Sequence, residues 1–73
     1  MQERELIKLM SKEWPDDSFS IDKDTWNHLD ANGKHKSKVT FSIYIVGPGK
    51  FFRSDKNWQN AYAKFKLWNE DQD

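Results

Sequence analysis

Val39, Phe41, Ile43 and Ile45 alternate with Thr40, Ser42, Tyr44 and Val46, the clearest period-2 run in the chain. Alternation of this kind predicts a half-buried strand over residues 38–46. An earlier strand starts at Phe19 and Ile21 and runs to about His28. Its parity slips, because Phe19 and Ile21 are odd-numbered and Trp26 is even. Either Trp26 points to the other face, or a β-bulge near Lys23–Asp24 re-aims it. Asn32-Gly33 marks the hairpin between these strands. Gly47-Pro48-Gly49 suits a type II turn with Pro48 and Gly49 at its centre. That turn pairs Val46 with Phe51 and Ile45 with Phe52. Phe52 then joins the Phe41/Ile43/Ile45 face, and Phe51 the Tyr44/Val46 face.

Helical spacing brackets the strands. Leu6, Ile7, Met10 and Trp14 recur near the helical period, with Glu3 and Glu5 early and Lys12 late, as the helix dipole favours. Pro15 disfavours helical geometry at Trp14, so this helix stops near Lys12 or Glu13. Pro15-Asp16-Asp17-Ser18 reads as a turn. Trp58, Ala61, Tyr62, Phe65 and Trp68 form a second stripe, and Leu67 falls off it. Ser54 or Asp55 is placed to cap that helix. The acidic segment 69–73 is expected to fray.

The expected fold is therefore α+β, in the order α-β-β-β-α, with a three-stranded antiparallel sheet and both helices on one face. A chain of 73 residues makes one domain, residues 1–73. Leu, Ile, Val and Phe are only about a fifth of it, but four Trp and two Tyr add apolar area, so the core should be aromatic. With no Cys there is no disulfide framework and no metal–thiolate site. Nothing resembles a signal peptide or a membrane span, so the expectation is a soluble cytoplasmic protein with no membrane partner. The oligomeric state is expected to be monomer or weak homodimer.

The formal net charge is zero but unevenly spread. Residues 16–33 and 69–73 are acidic, and residues 34–66 are strongly basic. A basic middle reads either as an ordinary solvated surface or as a patch for an anionic partner.

Packing both helices on the Val39/Phe41/Ile43/Ile45/Phe52 face leaves the reverse face open. There Trp26, Tyr44 and Phe51 would stand beside Arg53, with His28, Thr40, Ser42 and Val46. Exposed aromatic clusters mark contact sites, and flat rings on a sheet can also stack bases. Plain cross-strand packing is the bland reading. Trp26, Tyr44, Phe51 and Arg53 are thus the candidate protein-contact residues. Lys34, Lys36, Lys38, Lys50, Arg53 and Lys56 are the candidates for nucleic acid.

Catalytic chemistry is thin. His28 and His35 lie near Asp22, Asp24 and Asp30, but Asp22-Lys23-Asp24-Thr25-Trp26 breaks the calcium-loop pattern at its third position and lacks the following Gly. No Ser has a nucleophile context, and no Gly-rich phosphate loop is present. The expectation is a non-enzyme with no cofactor and no metal.

Two resemblances add to this. The helix–three strands–helix order resembles the double-stranded-RNA-binding domain in topology. The basic loop Asn32-Gly33-Lys34-His35-Lys36 lies where that family inserts a minor-groove loop. Where that family opens its second helix with a basic cluster, Ser54-Asp55-Lys56-Asn57-Trp58-Gln59-Asn60-Ala61 holds only Lys56. Separately, Thr25-Trp26-Asn27-His28, Phe41-Ser42-Ile43-Tyr44, Gly49, and Asn57-Trp58 through Ala61 to Lys64-Phe65 resemble short phage and prophage proteins of Gram-positive bacteria. That resemblance implies an accessory role exerted by binding, in the host cytoplasm.

Overall fold

The computed structural model describes residues 1–71. The order is α1 (Glu3–Glu13), β1 (Phe19–Leu29), β2 (His35–Ile45), β3 (Lys50–Ser54) and α2 (Trp58–Asp71), with an antiparallel sheet ordered β1-β2-β3. Of the segment expected to fray, Asn69 to Asp71 continue α2, and residues 72–73 lie outside the described residues.

Both helices meet the same sheet face. Leu6 and Met10 from α1, Ile43, Ile45 and Phe52 from the sheet, and Trp58, Ala61 and Phe65 from α2 form one buried cluster. Aromatic contacts dominate it. Phe41 meets Trp58 edge-on at 5.1 Å, Phe52 meets Phe65 edge-on at 5.8 Å, and Trp14 stacks on Trp68 at 5.7 Å. Such pairs add about 0.5–1.5 kcal/mol each beyond area burial. Ile7 departs from the expected stripe and is 42% exposed. The helix turns Leu6 and Met10, four residues apart, into the core, and Ile7 sits to one side of that line.

The first hairpin ladder is unbroken. Each residue from Phe19 to Leu29 pairs with one from Ile45 back to His35, so there is no bulge and Trp26 lies on the reverse face. The turn differs from a two-residue one. Within this turn only Gly33 has a positive φ, 77°; its N–H donates to the Asp30 carbonyl, and the Asp30 N–H donates to the Lys34 carbonyl. This is a three-residue loop closed by a left-handed glycine. Asp30 Oδ1 also accepts from the Asn32 and Lys34 N–H groups, both at 2.9 Å.

The second hairpin corrects the expected register. Tyr44 pairs with Phe51 and Ile43 with Phe52, two residues away from the expected partners. The reason is Val46, whose N–H donates to the Ser18 carbonyl and so extends the β1 side instead of closing on β3. A shift of two keeps every side chain on its face. The cap of α2 also moves. Asn57 Oδ1 accepts the Asn60 N–H at 2.8 Å, while Ser54 Oγ accepts the Lys56 N–H and tightens the preceding turn. We expect Asn57→Ala to cost about 1 kcal/mol, read as a lower denaturant midpoint with an unchanged slope.

The end of α1 is tied to α2 by polar contacts. Lys66 Nζ donates to Glu13 Oε1 at 2.8 Å, and Asn69 Nδ2 donates to Glu13 Oε2 at 3.4 Å. The bond to Glu13 raises the Lys66 pKa. Burial raises that of Tyr62, helped by the Glu13 carboxylate and opposed by Lys66. Both groups hold their protons more tightly when folded. Each contributes stability that is intact below its unfolded value, near pH 10, and is lost as pH rises through the folded one. Denaturant midpoints should therefore hold from neutral pH to about pH 9 and fall above about pH 10. Glu13→Gln should shrink that alkaline loss.

β3 flanks β2 only from Phe41 to Ile45, so the outer parts of β1 and β2 form a two-stranded arm. The dimensions show it: the molecule measures 49 × 23 × 17 Å. Its radius of gyration is 14.6 Å, against about 11 Å for a compact chain of this length.

Candidate functional site

The reverse face of the sheet follows from the ladder. Directly opposed residues share a face, so the rows across it read Ser20–Tyr44–Phe51, Asp22–Ser42–Arg53, Asp24–Thr40, Trp26–Lys38 and His28–Lys36. Neither helix covers these rows. Trp26 is 57%, Phe51 52% and Tyr44 39% exposed, and Val46 continues the face at 53%. Two of the rings have polar partners. Trp26 Nε1 donates to Thr40 Oγ1 at 3.1 Å, and the Arg53 guanidinium sits 5.3 Å from the centre of the Phe51 ring. Thr40 and Ser42, expected to be wet, are buried: Ser42 lies between Asp22 and Arg53 in the middle of the sheet, and Thr40 takes the hydrogen bond from the Trp26 indole. The four candidate protein-contact residues thus share one face, with Trp26 towards the arm and Tyr44, Phe51 and Arg53 where the sheet is three strands wide.

The six basic candidates do not gather. Lys36, Lys38 and Arg53 are on the reverse face. Lys34 is in the arm's turn, and Lys56 is in the loop before α2. Lys50 is opposite Ile45 on the helix side, with its ammonium 5.8 Å from the Trp68 ring. Lys38 lies 4.0 Å from Asp55, at the limit of an ion pair. Asp22 and Asp24 stand on the same face as Lys36, Lys38 and Arg53, so its charge is mixed. In the sequence Asp22 stands out only as part of a broken calcium-loop pattern and Ser20 not at all; the ladder's register puts them in rows with Arg53 and Phe51.

The histidines stand apart from each other across the arm. His28 is on the reverse face. His35 is on the helix side, where its Nε2–H donates to Asn27 Oδ1 at 3.0 Å. Among the described residues no group of three or more His, Asp or Glu side chains is placed to hold a metal ion. No described helix is long and apolar enough to cross a membrane. The surface depressions lie along α1, from Met1 to Lys8, and between the β3–α2 loop and Leu67, away from the aromatic face.

No family model matches the chain, and no curated protein or solved structure matches it either.

Proposed function

We propose that this chain is a non-catalytic binding module that presents the reverse face of its sheet to a protein partner, an accessory role of the phage type that the resemblance implies. The observation that carries it is a helix-free sheet face on which Trp26, Tyr44 and Phe51 are all solvent-exposed. Rigid aromatics lose little conformational entropy on binding and supply large contact area, which is why such residues dominate contact energies. The charge pattern favours protein over nucleic acid. A phosphate-binding surface gathers cations, whereas Asp22 and Asp24 interrupt this one and Lys34, Lys50 and Lys56 lie off it.

The test is capture from cells of the source organism, with Phe51→Ala and Tyr44→Ala as controls, alongside titration of labelled RNA and DNA. The expected result is a protein whose capture holds between about 0.05 and 0.2 M salt and drops at least tenfold with Phe51→Ala. Nucleic-acid binding that collapses over that salt range and is indifferent to Phe51 would replace this reading with the other.

A further inference from the structure

The reverse face is complementary to itself. Two adjacent rows run Ser20–Tyr44–Phe51 and Asp22–Ser42–Arg53 from β1 across to β3. A two-fold axis lying along β2, between two such faces, exchanges β1 with β3 and keeps each row at its level. Asp22 of one copy then meets Arg53 of the other, and Arg53 meets Asp22. Ser20, the smallest residue of its row, meets the large Phe51 ring, and the reverse. Tyr44 meets Tyr44, and Ser42 meets Ser42. Trp26 sits beyond the span of β3 and so faces space where the other copy has no third strand. This axis also leaves the strands of the two sheets nearly aligned, the common way for sheets to pack face to face.

We propose that the partner of this face is a second copy of the chain, in an isologous dimer built on reciprocal Asp22–Arg53 pairs. The proposal rests on reading the face as a protein contact. Within one chain Asp22 and Arg53 are two strands apart, about 10 Å of backbone separation. Among the described residues neither makes an ion pair. Arg53 lies against the Phe51 ring, its neighbour on the same face of β3. The single-sign repulsion that keeps many small domains apart is missing, since the net charge is zero. The shared area is small. Three strands over the five residues of β3 span roughly 15 by 17 Å. That is well under the ~800 Å² per partner of a standard interface, so the dimer should dissociate at micromolar concentration or weaker.

Sedimentation equilibrium of the full chain, from about 10 μM to about 1 mM at low salt, is the test. The wild type should move from the monomer mass towards twice that mass. Asp22→Arg and Arg53→Asp each set like charges against each other at two symmetric places, and each should weaken the association about tenfold. The double variant Asp22→Arg/Arg53→Asp restores both pairs with their signs exchanged, and it should return to within about threefold of wild type. That rescue separates a pair across the interface from damage to the fold, and circular dichroism of the three variants reports folding independently. A chain that stays monomeric to 1 mM, or a dimer that ignores both single reversals, overturns the proposal. If the chain is monomeric and still captures a different protein in a Phe51-dependent way, the self-association fails while the protein-contact reading stands.

Discussion

Phe52→Ala is expected to lower the unfolding free energy by about 3–5 kcal/mol, and Phe51→Ala by less than about 1.5 kcal/mol. The two residues are neighbours in β3 with the same chemistry, and only their faces differ. Phe52 is 8% exposed and packs against Phe65 at 5.8 Å and Trp68 at 5.7 Å. Removing its ring leaves a cavity among aromatics that α2 and the sheet hold apart. A domain of this size has only about 4–11 kcal/mol in total, so the loss consumes a large share of it. Its melting temperature should fall by roughly 12–40 °C. Phe51 gives up a half-wet ring and its contact with Arg53, a cation–π pair worth about 0.5–1 kcal/mol at an exposed site. Chemical denaturation followed by tryptophan fluorescence checks both. Equal losses at the two positions would mean that the reverse face is sealed, and would remove the ground for treating it as a contact surface.

That contrast was legible in the sequence wherever burial is one-sided. The alternation of Val39 to Val46 fixed the faces of Phe41, Ile43, Ile45 and Phe52, and a stripe at helical spacing fixed Trp58, Ala61 and Phe65. Leu67, read as off the stripe, is 66% exposed. Legibility failed where local patterns compete or where neither face is buried. The β2–β3 register depends on whether Val46 bonds towards β1 or β3, which is a tertiary choice. The cap fell to Asn57 and not to Ser54 or Asp55, because Ser54 is the last residue of β3 and its hydroxyl closes the next turn. From Asp22 to Leu29 every β1 residue is exposed, so no apolar alternation betrays how far the arm runs. The candidate site was half visible for the same reason. Parity placed Trp26, Tyr44, Phe51 and Arg53 on one side, but the row that puts Asp22 level with Arg53 follows only from the pairing of all three strands.

Leu6→Ala is expected to cost about 2–5 kcal/mol and to release α1 before the rest of the fold opens. An isolated helix of 11 residues is marginal in water, and Gln2 gives this one no side-chain cap. Its stability therefore comes from docking. Leu6 and Met10 are fully buried, Trp14 stacks on Trp68, and Glu13 bonds to Lys66 and Asn69. Of these named contacts, those of Trp14 and Glu13 are with α2. The sheet instead takes its cover mainly from α2, through Trp58, Ala61 and Phe65. Losing the Leu6 side chain weakens the docking of α1, while α2 still covers the sheet. In hydrogen exchange the amides of residues 6–13 should lose protection well ahead of those of β2. Exchange of both sets at one rate would show instead that α1 and the sheet open as a single unit. The reverse face lies on the far side of the sheet from α1. Under conditions that keep β2 protected, Leu6→Ala should leave contact through Tyr44, Phe51 and Arg53 unchanged, although the helix is undocked.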